Sequence, residues 1–202
     1  GPYKDNDGMD NPLTTDIQTC LAEEGIPYAG LGLGYGDGIV DNERIGMAKF
    51  VYFTSDGGAV RGDPSTATEF YQYLTGHWKN NAPFTFGGDG SQGTVQTNYC
   101  FPGDSDPYNW GTSGVPVPGN WSEPEVPNPP GDRRFLQSAG PFTLEPGAVN
   151  NITVGVVYGR NTAETDLLAS VRTMKAADSK AQALFDNCFE IVEPPKAPFL
   201  TC

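Results

Sequence analysis

Glycine and proline interrupt this chain so often that few segments are long enough to form a large regular element. The 202 residues include 26 glycines and 18 prolines. They recur throughout residues 80–132, in the stretches FGGDGSQG, FPGDSDP, GTSGVPVPGN and EPEVPNPPGD. Because both residue types mark turns, this pattern favours short strands joined by many loops. Loops as long as this one are usually functional, or they are held by ions or disulfides.

Three apolar segments are predicted to form β-strands, because aromatic and β-branched residues suit a pleated, half-buried surface. They are residues 49–54 (KFVYFT), residues 134–138 with 141–144 as a continuation or a second strand, and residues 151–158 (NITVGVVY). The last segment alternates with a period of two, and its apolar face carries Ile152, Val154, Val156 and Tyr158. This alternation is typical of a strand with one buried face.

Two helices are also predicted. The first starts at Asp63-Pro64, because proline suits the first helical position, and Thr66 and Glu69 have the spacing of a capping box one turn further on. The second covers about residues 165–187 and has an apolar stripe with charged residues beside it, which indicates a helix facing a core. The stripe consists of Leu167, Val171, Met174, Ala181, Leu184, Phe185 and Cys188.

These elements predict a mainly β domain of the α+β class. We expect an antiparallel β-sandwich with extended Gly/Pro-rich loops, and the long C-terminal amphipathic helix covering a sheet face or edge. The predicted organisation is an acidic Gly/Asp-rich calcium-loop region over residues 1–48 and a β-sandwich domain over 49–192. Residues 193–202 read as a linker to a following domain, so the chain is interpreted as part of a longer protein.

Two acidic clusters near the amino end predict calcium sites. Calcium takes six to eight oxygen ligands, and a glycine permits the tight turn that brings them together. The predicted ligands of the two clusters are Asp5, Asp7, Asp10 and Asn11 in DNDGMDN, and Asp37, Asp41, Asn42 and Glu43 in GDGIVDNE. Both clusters are shorter than a full EF-hand loop. The alternative is a pair of turns in which Asp and Asn accept hydrogen bonds from nearby backbone groups.

The charge balance excludes one class of partner. The formal net charge is −13 and the isoelectric point is about 4.3. An acidic surface repels phosphates, so we expect no nucleic-acid binding. No apolar run approaches the roughly 20 residues of a membrane-spanning helix, so the protein is not expected to be membrane-embedded.

Cysteine and histidine offer little for catalysis or zinc binding. Cys20, Cys100, Cys188 and Cys202 show no zinc-binding spacing. They fit one or two disulfides and buried free thiols equally well. The single histidine, His77, has no evident nucleophile near it in the sequence. A carboxylate-based hydrolase stays open, but a non-catalytic protein is favoured.

Three aromatic residues lie in the long loop region and are candidates for ligand binding, because loops on a rigid scaffold often carry binding residues. Sugar-binding modules use the flat faces of Trp and Tyr in this way. The three residues are Tyr108, Trp110 and Trp121. The alternative is that they pack against the edge of the sandwich and anchor the loops.

Several blocks of the sequence together resemble a known type of protein. They are GDGIVDNERIGM, GHWKNNAPFTFGG, FPGDSDP, GDRRFLQSAGPFTLEPGAVNNITVGVVYGR and LLASVRTMKAADSKAQALFDNCF. They resemble a recurrent module of long secreted and cell-surface proteins of Bacteroidetes, which generally end in a type IX secretion sorting domain. The resemblance covers nearly the whole chain. It implies export and surface display, and it implies no settled activity.

The sequence thus predicts a non-catalytic, extracellular or cell-surface module, structural or adhesive, stabilised by Ca²⁺. Its expected partners are other domains of the same long protein, and a glycan or a surface protein. The alternative function is a carbohydrate-binding module attached to a secreted polysaccharide-degrading enzyme.

Overall fold

The computed structural model describes residues 9–10, 35–40, 47–126, 129, 131–139, 146–147, 152–163, 166, 168–187 and 189. It divides the chain into two compact units, Gly1–Asn150 and Asn151–Cys202. Each unit is described here by itself.

The first unit is built on one antiparallel pair of strands, β1 (Met47–Thr54) and β2 (Arg133–Ala139). Val51 lies opposite Leu136, and an irregularity in the register falls between Met47 and Lys49. This irregularity changes the phase of burial, because Ala48, which lies within it, is buried, and the next buried residues are Val51 and Phe53. The aromatic run predicted as a strand therefore does form one, and it has one buried face.

A short helix, α1 (Ala67–Leu74), lies between the two strands in the sequence, and the predicted capping box at its start is confirmed. The helix begins at Ala67, one turn after the predicted start at Pro64. The Thr66 hydroxyl accepts a hydrogen bond from the Glu69 backbone N–H at 3.2 Å, and the Thr66 backbone N–H donates to the Glu69 carboxylate at 3.2 Å. The same carboxylate also accepts from the Ser65 backbone N–H at 2.6 Å. This bond to Ser65 is the main reason why the pKa of Glu69 lies below its usual value. The helix start is therefore fixed by local chemistry that the sequence displays.

The core of the first unit is a cluster of aromatic rings packed on β1. Its buried members are Val51, Phe53, Tyr73, Trp78, Phe84, Cys100 and Trp121. The ring centroids of Trp78 and Phe84 are 4.7 Å apart, and those of Phe53 and Tyr73 are 5.2 Å apart. Offset and edge-to-face contacts of this kind add to the free energy gained by burying the rings.

The chain between α1 and β2 covers this core as loops with two single turns of 3-10 helix, Trp110–Thr112 and Glu123–Glu125. The Trp78 indole N–H donates to the Gly90 carbonyl oxygen at 2.8 Å. Gly90 has a φ of 83°, and a Cβ at this position would lie 2.9 Å from the Trp78 ring. Only glycine allows both the positive φ and this close approach, so the path of FGGDGSQG depends on its packing against Trp78.

The predicted β-sandwich is wrong. The described residues contain one two-stranded sheet and two helices, and no second sheet. Residues 80–126, which the sequence predicts to be mostly loop, contribute only isolated bridges such as Phe50↔Tyr99 and Thr85↔Gln96. Loop backbone interrupted by glycine and proline cannot form a continuous ladder, so the loops cover the core without forming a sheet.

In the second unit, residues 152–160 do not form the predicted strand. None of them is assigned to a β-ladder, and their apolar face is open, with Val156 95% and Tyr158 79% exposed. Their alternation indicated a half-buried strand, but alternation does not specify a partner. Within this unit the segment passes close to helix α2 (Ala169–Asp186), since a Cβ at Gly159 would lie 2.3 Å from the Met174 backbone nitrogen.

Helix α2 matches the predicted C-terminal helix in type, and its side chains remain partly exposed. Val171, Met174 and Leu184 of the apolar stripe are each more than a third exposed. Among the residues that the structure describes, no helix combines the length and the apolar character needed to cross a bilayer. The predicted segments 1–48 and 193–202 lie almost entirely outside the described residues, so their assignments stay predictions.

Replacing Phe84, whose side chain is fully buried, should test the aromatic core. We expect Phe84→Ala to lower the free energy of unfolding by about 3–5 kcal/mol, because the ring leaves a cavity among its neighbours. Tyr71→Ala is the control, since Tyr71 lies on α1 and is 68% exposed, and it should change stability by less than about 0.5 kcal/mol. Urea unfolding measures both, and equal losses would contradict this core.

Candidate functional site

The two acidic clusters meet at one carboxylate. The Asp10 carboxylate accepts a hydrogen bond from the Gly36 backbone N–H at 2.7 Å and another from the Gly38 backbone N–H at 2.6 Å. Both glycines have positive φ angles, 64° and 85°. At Gly38 a Cβ would meet no atom within 4 Å, so the requirement for glycine there is conformational. We call this arrangement the Asp10 clamp.

Asp37 lies between the two clamped amides. One of its carboxylate oxygens accepts from the Ile39 backbone N–H at 2.8 Å, which closes a turn of the kind that Asp forms with its own backbone. The structure therefore places Asp10 and Asp37, one predicted ligand from each cluster, in the same small loop region. It also shows in the second cluster an Asp turn, which was the alternative to a metal-binding loop.

The other predicted ligands lie outside the described residues: Asp5, Asp7, Asn11, Asp41, Asn42 and Glu43. Within the described part, no group of three or more acidic, histidine or cysteine side chains is placed to hold a metal. Asp10 and Asp37 offer carboxylate oxygens that can accept further bonds, because each oxygen has two lone pairs. The described pair is thus the part of the two predicted ligand sets that the structure shows together, and its role as a ligand pair stays a prediction.

Asp106 forms a second clamp of the same type. Its carboxylate accepts from the backbone N–H groups of Trp110 and Gly111, both at 2.8 Å. A Cβ at Gly111 would lie 2.9 Å from the Tyr99 ring. The glycine therefore allows the loop to approach both the core and the carboxylate, and FPGDSDP serves here as a turn.

Tyr108 and Trp110 form a stacked pair beside this second clamp. Their ring centroids are 5.5 Å apart and their planes differ by 21°. Tyr108 is 45% exposed and Trp110 is half-buried. The Trp110 indole nitrogen is buried and has no hydrogen-bond partner in the described structure. The pair offers one aromatic face to solvent.

Trp121 is a core residue and is only 5% exposed. Its indole N–H donates to the Gly88 carbonyl oxygen at 2.9 Å, and its ring packs against Phe86 and Phe101. Trp121 also lines an open cleft of about 300 Å³. The cleft residues are Phe86, Gly87, Gly88, Pro118, Asn120, Trp121, Glu125 and Val126.

Most of these cleft residues were missed by sequence reasoning, which selected only Trp121. The available signal was the pair of glycines in FGGDG, since both have positive φ angles that turn the loop over the ring. Residues 86–88 and 118–126 meet only because both approach the same core ring. Contacts between segments this far apart in the sequence produce no local sequence pattern from which they could be predicted.

Cys100 is a buried free thiol. Burial raises the pKa of this thiol to about 12, so it stays protonated near neutral pH and is a poor nucleophile. The other three cysteines lie outside the described residues. Cys100 thus acts as an apolar member of the aromatic cluster.

No family model, curated protein or solved structure matches this chain. The resemblance to a Bacteroidetes surface-protein module therefore stays a prediction. The clamp, the cleft and the core are the observations from which a function can be argued.

The two clamps can be tested against each other by amide hydrogen exchange. We expect Asp10→Ala to speed exchange at Gly36 and Gly38 at least about tenfold, because hydrogen bonds to a charged group contribute roughly 1.5–3 kcal/mol each. Asp106→Ala should leave these two amides unchanged and instead speed exchange at Trp110 and Gly111. Each variant serves as the control for the other, and unchanged rates in both would rule out the clamps.

Proposed function

We propose that this chain is a non-catalytic structural or adhesive module of a longer exported cell-surface protein, stabilised by Ca²⁺. The Asp10 clamp is the observation that carries the proposal. It joins the first acidic cluster to the second, so that predicted ligands separated by more than 20 residues share one loop region. A single ion, or two neighbouring ions, can then draw ligands from both clusters.

Chain connectivity supports a shared site. Asn11 directly follows Asp10, and Asp41 is four residues after Asp37. Consecutive Cα atoms are about 3.8 Å apart, so the chain is long enough at both positions to bring these ligands to the clamp. Carboxylate and amide oxygens are the ligands that calcium prefers, and calcium tolerates irregular loop geometry better than magnesium does.

The site suits an extracellular protein. Calcium sites in extracellular modules bind weakly, with dissociation constants of about 10⁻⁴–10⁻³ M. The ion would then add stability to a loop that the Asp10 clamp already shapes. A stabilising role of this kind fits a structural module, because such a module acts through its surface and has no active site.

Thermal melting with and without calcium tests the proposal. At 10 mM Ca²⁺ and a dissociation constant of about 10⁻⁴ M, binding stabilises the folded state by about 2.7 kcal/mol. For a chain of this length that corresponds to a rise in Tm of roughly 5–11 °C over the value in EGTA.

Asp37→Asn should lose most of this calcium-dependent rise in Tm, because it removes one of the carboxylates at the site. Asp166→Asn is the matched control, since Asp166 pairs with Arg172 in the second unit, and it should retain the full rise. A wild-type Tm that is the same in calcium and in EGTA would contradict the proposed calcium site.

The open cleft favours a second candidate function, carbohydrate binding. Its walls include the rings of Phe86 and Trp121, and Asn120 and Glu125 supply polar groups. Binding pockets commonly combine apolar walls with a few polar groups that fix the ligand's orientation. Trp121 is only 5% exposed, so a sugar would contact a small part of this ring.

A glycan array probed with the intact chain tests this second function. If the cleft binds sugar, Asn120→Ala should abolish the signal, whereas Tyr71→Ala, on exposed α1, should leave it unchanged. Loss of signal in Tyr108→Ala instead would assign binding to the Tyr108–Trp110 pair. The absence of any signal for the wild-type chain would remove carbohydrate binding from consideration.

A further inference from the structure

Lys49 on β1 holds its amine against the side chain of Asn98. The distance from Lys49 Nζ to Asn98 Oδ1 is 2.5 Å, and the contact is partly buried. The loop after α1 closes the other side, since a Cβ at Gly76 would lie 3.3 Å from Lys49 Cδ and 3.8 Å from Nζ. The amine is therefore confined between β1, this loop and Asn98.

The backbones that carry the two side chains are fixed to each other. The Phe50 N–H donates to the Asn98 carbonyl oxygen at 2.9 Å, and the Cys100 N–H donates to the Phe50 carbonyl oxygen at 3.0 Å. On its other side, the Asn98 N–H donates to the Gly111 carbonyl oxygen at 2.6 Å. Because the two backbones are held together, the Lys49 and Asn98 side chains are brought close without a further entropic cost.

Lys49 differs from other cations of the first unit in its partner. Arg61, Lys79 and Arg134 each lie within 4.0 Å of a carboxylate. Lys49 instead contacts a neutral amide, and no carboxylate among the described residues forms an ion pair with it, although the chain has 25 acidic residues.

The protonation of Lys49 favours reactivity. Burial lowers the pKa of its amine, and a larger fraction of the amine is therefore neutral than in an exposed lysine. The neutral fraction of a confined amine is nucleophilic. The neighbouring amide carbon of Asn98 is the electrophile within its reach.

We propose that Lys49 and Asn98 become joined by an intramolecular isopeptide bond. The Lys49 Nζ lone pair forms a bond to Asn98 Cγ, and the bond between Cγ and Nδ2 breaks. The amide nitrogen leaves as ammonia, carrying one proton from Nζ, and a secondary amide remains. The step balances without an oxidant, a reductant or any other reactant. It is independent of calcium and of the function proposed above.

The bond would close a covalent loop between β1 and the segment that covers the core. It would thereby reduce the conformational freedom of the unfolded chain, as a disulfide does. The aromatic cluster would then be enclosed by a permanent link rather than by hydrogen bonds alone.

The intact mass of the purified, denatured chain tests the proposal. We expect a mass about 17 Da below that of the sequence, because ammonia has been lost. Peptide mapping should yield one branched peptide that contains both Lys49 and Asn98, with no tryptic cleavage after Lys49. A cyclised Asn98 backbone would lose the same mass, but it would leave Lys49 unlinked and cleavable.

Two variants complete the design. Lys49→Arg keeps the charge and the reach of the side chain but should have the full mass of its sequence. Lys180→Arg, which changes an exposed lysine of α2, should retain the deficit. A wild-type mass equal to that of the sequence would overturn the proposal, as would a deficit that persists in Lys49→Arg or maps to other residues.

Discussion

The packing of tryptophan rings beneath loop carbonyls is the contact on which the first unit depends. A two-stranded sheet is marginal by itself, so β1 and β2 need a cover. The cover is loop backbone, and the indole N–H groups of Trp78 and Trp121 attach it to the core through the carbonyls of Gly90 and Gly88. Each ring thus supplies apolar area to the core and a hydrogen bond to the loop above it.

Loop backbone also needs partners for its N–H groups, and aspartate supplies many of them. Asp10 and Asp106 each accept two backbone N–H bonds. Further aspartates that accept one nearby backbone N–H bond are Asp37, Asp56, Asp89 and Asp166. The acidic residues therefore have a structural role in addition to their effect on surface charge. In irregular backbone, carboxylates accept the N–H hydrogen bonds that backbone carbonyls would accept in a sheet.

Local patterns predicted local structure well in this chain. The run FVYF, the capping box at Thr66 and the strand at residues 134–138 could be predicted because neighbouring residues determine each of them. The sandwich was wrong because alternation at residues 152–158 shows which side chains share a face and nothing about what pairs with the backbone. The Asp10 clamp joins residues at least 26 positions apart, and the Lys49–Asn98 contact joins residues 49 apart. Contacts over such distances leave no periodic trace in the sequence.

The Asp10 clamp also limits what calcium can contribute. Both oxygens of Asp10 already accept backbone N–H groups, and Asp37 closes its own turn. The described loop thus has internal partners, so an ion at this position would strengthen a formed turn rather than create it. This differs from small metal-dependent domains, in which the ligands have no other way to come together. The folding of the first unit is accordingly driven by its aromatic core, and ions or a covalent link would act on a structure that the core has already defined.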